Sequence, residues 1–197
     1  MRLFCLVLFA SLLLASSAWS QDTPPDSPDF EAGDRALLFQ IGPNLDLSGL
    51  NSTVALKGHR SATSARRFSL GVQGELSGSD AQDRQALAVF VNYLFLAYSR
   101  SRTQVHLYYG LGPTAGFRYQ DFSDERGNEA ERVSLDIGLA GVLGVEWRVH
   151  EAIGLTGEYN SILVGTYEHQ SSAGGDVDLY GVALRSNGAR LGLSVYF

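Results

Sequence analysis

The stretch Val133 to Trp147, VSLDIGLAGVLGVEW, separates cleanly when every second residue is taken. One set is Val133, Leu135, Ile137, Leu139, Gly141, Leu143, Val145 and Trp147. The other is Ser134, Asp136, Gly138, Ala140, Val142, Gly144 and Glu146. The first is apolar but for one glycine; the second is small, polar or charged but for Val142. Successive side chains of a strand point to opposite faces, so the stretch reads as one long β-strand with a greasy face and a crowded polar face. It exceeds the usual strand of about 5–6 residues and suffices for a tilted membrane crossing, which needs about 9–11.

The same alternation recurs along the chain. Strands are expected over 35–47, 52–59, 67–77, 85–98, 104–119, 133–147, 152–168 and 179–197. The fourth of these is apolar on both faces except for Asn92, so periodicity alone leaves a buried helix open there. In the last, the alternation changes register at Ser186-Asn187-Gly188, which reads as a bulge or turn. Pro43 and Pro113 fall inside expected strands, each after a glycine, and a local bulge is expected at both. Connections after the second, fourth and sixth strands are short. Those after the third, fifth and seventh (78–84, 120–132 and 169–178) read as longer polar loops. This is the pattern of an all-β, eight-stranded, antiparallel up-and-down transmembrane β-barrel with short periplasmic turns and longer outer loops.

Composition agrees. Charged residues are 18% of the chain, below the usual quarter, and glycine is abundant at 22. The net charge of -6 argues against nucleic acid as a partner, since phosphate binding needs a basic face. Residues 1–20 read as a signal peptide: Arg2, an apolar run from Leu3 to Leu14, and the small-x-small site Ala18-Trp19-Ser20. Cys5 lies within it, which leaves the mature chain without a disulfide or a cysteine ligand. Residues 21–34 hold three of the five prolines and no apolar period, and read as a disordered periplasmic lead-in. The barrel domain is then 35–197.

Alternation does not say which face is outside, and a lipocalin-type barrel would put the apolar face inward. Three features favour lipid outside. The polar face is rich in glycine, which suits the narrow interior of an eight-strand barrel. It carries charges of both signs, including Lys57, Arg67, Arg118, Asp136, Glu146, Arg148 and Glu158, which would pair across a lumen. Aromatic residues of the apolar face gather near strand ends: Trp147 toward the periplasm, and Phe117, Tyr119 and Tyr167 toward the outside, as the two girdles of a membrane barrel require. The best lumen network by this reasoning is Arg118, Asp136, Glu146, Arg148 and Glu158.

Leu191 to Phe197, LGLSVYF, resembles the terminal strand of Gram-negative outer-membrane proteins. Gly144 to Trp147 with Gly154 to Tyr159 is similar to a late hairpin of OmpA-like barrels, and Gly110 to Tyr119 to the preceding strand. The resemblance, to the OmpA-like and OmpX-type barrels, implies a location in the cell outer membrane and contact with its lipids and lipopolysaccharide. It also implies recognition of Tyr196 and Phe197 by the barrel assembly machinery, and a small, porin-like monomer of the envelope. It implies no cofactor, no metal and no catalytic residue.

The expected function is therefore a non-enzymatic structural or surface role, with a side-chain-filled polar lumen and at most narrow ion conduction. Two other readings compete. Lipid A deacylases of this barrel size pair a histidine and a serine two residues apart, a spacing found in His169-Gln170-Ser171, with Asp176 or Asp178 to orient the base. A soluble lipocalin-like periplasmic binder is the other. Acidic residues between Gln120 and Arg132 add the chance of cation or partner binding, though without the spacing of a calcium loop.

Overall fold

A computed structural model of the chain describes residues 30–43, 50–79, 82–99, 104–123, 129–172 and 175–197. The expected signal peptide and most of the lead-in lie outside these residues. Eight strands follow one another: β1 (Arg35–Pro43), β2 (Leu50–Ser61), β3 (Ser64–Ser79), β4 (Gln82–Tyr98), β5 (Val105–Ser123), β6 (Glu129–His150), β7 (Ile153–Ser172) and β8 (Gly175–Tyr196). Each pairs antiparallel with the next, and β1 pairs with β8 over Ala36–Ile41 and Leu191–Tyr196, which closes the barrel. Closure removes the free sheet edge at this level, the condition for a sheet to stand in lipid.

The apolar face is outside. Ile137 is 63% exposed and Leu111 58%, while Glu146 is fully buried inside. Phe39, Leu56, Phe68, Leu107, Leu143 and Leu155 share the exterior. An exterior of this kind shed into water would be one continuous apolar patch, far larger than soluble monomers tolerate. The inverted, lipocalin-like arrangement is thereby excluded.

The interior is not polar throughout. Leu94, Leu96 and Tyr98 of β4 pack inward with Tyr108 of β5 and Ala140 and Val142 of β6. This explains two irregularities of the sequence. β4 is apolar on both faces because its inner face supplies the greasy half of the lumen, and it is a strand rather than a helix. Val142, the exception on the polar face of β6, belongs to the same cluster. Two glycines of the inner face lie under aromatic rings of directly paired residues, Gly71 under Phe90 and Gly144 under Tyr108. Any side chain there would collide with the ring, so glycine is what lets a barrel this narrow hold aromatics.

Several expectations are corrected. The outer connections are not long loops. β3 runs to Ser79, β5 to Ser123 and β7 to Ser172, and their partners begin at Gln82, Glu129 and Gly175. The polar segments 78–84, 120–132 and 169–178 are largely the tips of strands that rise past the membrane. Above the lipid neither face need be apolar, so the period-2 signal vanishes while cross-strand pairing continues. The bulge expected at Pro113 is absent as well. The β5–β6 register runs unbroken through Pro113↔Leu139, and the β4–β5 register is the same on both sides, Asn92↔Thr114 and Phe95↔Leu111. What is missing is the ladder opposite Tyr93 and Leu94, where the proline has no N–H to give. Pro43 pairs in register with Leu50 at the upper end of β1, an end position that proline tolerates.

The irregularity at Ser186-Asn187-Gly188 is present as expected. Asn160 pairs with Gly188 and Ser161 with Ser186, so one extra residue enters β8, and Gly188 takes φ of 73°. Below it, Arg190, Ser194 and Tyr196 face inward; above it, Tyr180, Val182 and Leu184 face out.

Among the described residues the wall is not of even height. β1 has 9 residues and β2 12, against 22 in each of β6 and β8. Among the described residues, β8 above Leu191 is paired on its β7 side alone.

Candidate functional site

The inner face of the lower barrel carries two buried ion pairs, each built from strands that are not neighbours. In the first, Lys57 of β2 donates to both oxygens of Glu146 of β6, at 2.6 and 2.7 Å. Lys57 also donates to the Tyr196 hydroxyl at 2.7 Å, Tyr196 donates to Glu146 Oε1, and the Tyr98 hydroxyl donates to Oε2 at 3.1 Å. In the second, the Arg67 guanidinium of β3 grips Glu158 of β7 with two nitrogens, Nη2 to Oε1 at 3.0 Å and Nη1 to Oε2. Tyr108 and Asn160 donate to the same carboxylate at 2.8 and 2.7 Å. Each carboxylate therefore has its charge paired and its lone pairs filled, the condition for tolerating a charge in so confined a place.

A third, partly exposed group lies higher up. Arg185 donates to Asp136 at 2.6 Å, and Thr166 donates to the other oxygen of that carboxylate. Nearer the outer rim, Arg132 meets Glu168 at 3.1 Å.

The periplasmic mouth is closed by a residue from the expected lead-in. Phe30, 1% exposed, stacks on His59 with ring centroids 4.2 Å apart, and meets Tyr98 at 5.1 Å and His106 at 4.6 Å. Lys57 Nζ and the Arg148 guanidinium lie 5.7 and 5.4 Å from its ring centre. The segment is tied down by its backbone, Gly33 N–H to the His59 carbonyl at 3.0 Å and His59 N–H to the Asp34 carbonyl at 2.8 Å. Arg148 bonds Asp34 at 3.2 Å and the Glu151 carbonyl at 2.9 Å. Phe30 to Asp34 are thus a folded cap, which corrects the reading of 21–34 as disordered to its end. The sequence signal was a lone aromatic in an otherwise polar, proline-rich segment.

The five residues expected to form one network are spread over several. Glu146, Glu158 and Asp136 each anchor a separate group, Arg148 turns to the cap, and Arg118 lies half-buried on the inner face of β5. The cations that serve the buried carboxylates are Lys57 and Arg67. Alternation placed both on the inner face, but partners across a barrel leave no trace in local spacing.

The exterior aromatics stand at two levels. Trp147 is beside Val105 and Leu155 at the foot of the wall, while Phe117 and Tyr167 flank Leu135, and Tyr119 pairs with Val133, near the outer side. Tyr196 points inward to Glu146, whereas Phe197 is 74% exposed.

His169 and Ser171 lie on the upper exterior of β7, opposite Asp178 and Asp176. His169 Nδ1 is 2.7 Å from Asp178 Oδ1, as a base-orienting pair would be, and this hydrogen bond raises the imidazole above its ordinary pKa. The Ser171 hydroxyl, however, donates to Asp176 at 2.8 Å. Base and hydroxyl are each engaged by a different aspartate, and nucleophilic activation needs the hydroxyl on the base.

No protein-family model matches the chain, and no curated protein matches it in sequence. Solved structures do match. A major outer membrane protein from Thermus thermophilus superposes with a TM-score of 0.61 at 11% identity, over 85% of this chain and 100% of that one. Ail, the attachment invasion locus protein of Yersinia pestis, gives 0.49 at 16% over 85% and 100%, and Neisserial surface protein A gives 0.43 at 12% over 83% and 95%. At these identities the likeness is one of fold, and the first carries it. With its closed antiparallel wall, lipid-compatible exterior and paired polar lumen, the chain is an outer-membrane β-barrel that resides in the cell outer membrane.

Proposed function

We propose that the chain is a small non-enzymatic barrel of the OmpA-like, OmpX-type kind, with a structural or surface role and no open pore. The observation that supports this reading most directly is the pair of clusters Lys57–Glu146 and Arg67–Glu158, which span the lumen between non-adjacent strands and are capped below by Phe30. Ions would pass only by separating charges held at hydrogen-bond distance. Its partners on this reading are outer-membrane lipids and lipopolysaccharide around the apolar wall, and the assembly machinery at Tyr196 and Phe197 during insertion. The chain acts as a monomer after loss of its signal peptide.

Reconstitution of the full mature chain in planar bilayers tests the reading. It expects no sustained current beyond a narrow leak, and lipid A from expressing cells with its acyl chains unchanged. A stable porin-sized conductance, or deacylated lipid A that disappears in Ser171→Ala, would overturn it.

A further inference from the structure

The outward face of the wall changes character along one arc of its periplasmic end. At the foot of β5 to β8 it is apolar, with Val105, Trp147, Ile153 and Val195 exposed. On β1 to β3 the same end carries three arginines. Arg35 opens β1, Arg60 is the last residue but one of β2, and Arg66 is the third residue of β3.

Two of the three share a row. Arg35 pairs with Gly58 of β2, and Gly58 pairs with Arg66. Directly paired Cα atoms are about 4.5–5.5 Å apart, so the two arginines stand about 10 Å apart with a glycine between them. A Cβ added at Gly58 would meet nothing within 4 Å, so the protein leaves the space over this glycine open. The β2–β3 register slips at Arg60, which has no partner on β3 and is exposed two residues below the opening.

No acid answers the row. The residues beside Arg66 on the neighbouring strands are Gly58 and Phe95, and those beside Arg35 are Gly58 and Phe197. Asp34 turns inward to Arg148. Among the described residues no carboxylate forms an ion pair with any of the three arginines. The Arg66 guanidinium lies 5.7 Å from the centre of the Phe95 ring, and Phe95 stands edge-on to Tyr93 at 5.3 Å. A ring engages the flat face of a guanidinium and leaves its in-plane N–H fork for the oxygens of a phosphate.

We propose that Arg35, Arg60 and Arg66 form a headgroup site for a net-anionic glycerophospholipid of the periplasmic leaflet, its phosphodiester over Gly58 and its acyl chains along Phe68 and Phe95. Three cations without an acid favour a headgroup whose phosphate charge is not cancelled by an ammonium group of its own. The inference rests on the barrel's place in the outer membrane and goes beyond general contact with lipid by naming the leaflet, the strands and the headgroup charge.

The test uses the full mature chain folded into phosphatidylcholine vesicles, with bromine-labelled acyl chains on either phosphatidylglycerol or phosphatidylcholine as the quencher. Trp147, the one tryptophan of the mature chain, belongs to β6, three strands from both β1 and β3, and reports on the wall away from the site. Phe95→Trp in a Trp147→Phe background reports at the site and keeps a ring beside Arg66. At the Phe95→Trp reporter, phosphatidylglycerol should be favoured by about fivefold or more at low salt, the gain expected of a well-placed cation. At Trp147 the two lipids should quench alike. Joint Arg35→Gln, Arg60→Gln and Arg66→Gln should bring the ratio at the site down to that at Trp147. Arg66→Gln alone should at least halve it, which keeps the test decisive if the triple variant fails to assemble. The same ratio at both reporters, or a preference that the arginine variants leave unchanged, would overturn the site while the barrel's place in the membrane stands. Absence of quenching at both reporters would overturn that place and the site with it.

Discussion

Lys57 Nζ lies 2.6 Å from Glu146 Oε1 although the two residues belong to β2 and β6, which share no edge. The pair is a strut across the barrel, not a bond along its wall. Removing one end leaves a buried, uncompensated charge, which costs about 3–5 kcal/mol. Lys57→Met and Glu146→Gln should each lower the urea midpoint of folded barrel in vesicles accordingly. The double variant Lys57→Met with Glu146→Leu should recover much of the loss, because a well-packed apolar pair is often no worse than a buried ion pair. A double variant as unstable as the sum of the singles would contradict this account.

Phe30 predicts a separable effect. Truncation to alanine removes a ring held among His59, Tyr98, His106 and Tyr196. Loss of a buried phenyl group costs about 3–5 kcal/mol where the site does not collapse. The expected outcome in bilayers is brief flickering current in Phe30→Ala on a silent wild-type background, with the strut variants adding to it. If Phe30→Ala is as silent as wild type, the two ion pairs alone close the path.

Asn187 is the extra residue of β8. Deleting it should set Ser186 directly beside Gly188 opposite Ser161 and Asn160, with Arg185 still inward and Tyr180, Val182 and Leu184 still outward. The deletion should therefore keep the heat-modifiable band, and loss of that band would contradict the place given to the extra residue. Gly188→Ala tests the same place with the bulge kept. Its φ of 73° is unfavourable for a residue with a Cβ, by about 1–2 kcal/mol, so assembly should persist with reduced stability.

His169 and Asp178 lie well beyond the about 9–11 residues that a tilted strand needs to cross lipid, counted from Ile153 at the foot of β7. The hydrogen bond between them raises the imidazole and lowers the carboxyl. A raised folded-state histidine stabilises fully below its unfolded value and loses that contribution as pH rises through the folded one. The lowered aspartate stabilises above its unfolded value and loses its contribution as pH falls through the folded one. The pair is thus fully in place between the ordinary values of 3.8 and 6.5. NMR titration of the His169 ring should show a raised pKa that returns to about 6.5 in Asp178→Asn. Lipid A should be indifferent to both Asp178→Asn and Ser171→Ala, since the serine hydroxyl is held by Asp176.

Legibility in the sequence followed the physics of each signal. Faces were readable wherever one side meets lipid, since Leu135, Ile137 and Leu139 must alternate with Asp136 and Gly138. The bulge at Asn187 was readable because it breaks that alternation. Above the membrane the constraint lapses, so His169 to Ser172 looked like loop though they are strand. The partners Lys57–Glu146 and Arg67–Glu158 were not readable: which inward residue meets which depends on the tilt and stagger of eight strands together. Pro113 shows the converse. Proline chemistry named the place, but the two flanking ladders absorbed the missing donor without the register slip that a bulge would bring.

The uneven height of the wall has a consequence for crowding. Among the described residues, β8 above Leu191 is paired on one side only, with Tyr180, Val182 and Leu184 standing 79, 81 and 77% exposed, the kind of edge that in water templates aggregation. Two copies inserted the same way up both run β8 downward. A two-fold axis along the membrane normal keeps those descents pointing the same way and turns the strands across each other by their tilt. Head-to-tail antiparallel zippering of edge on edge is therefore denied to neighbours in one bilayer. Shared orientation does here what charged or proline-blocked edges do in soluble sheets, and it lapses for copies that have not yet been inserted.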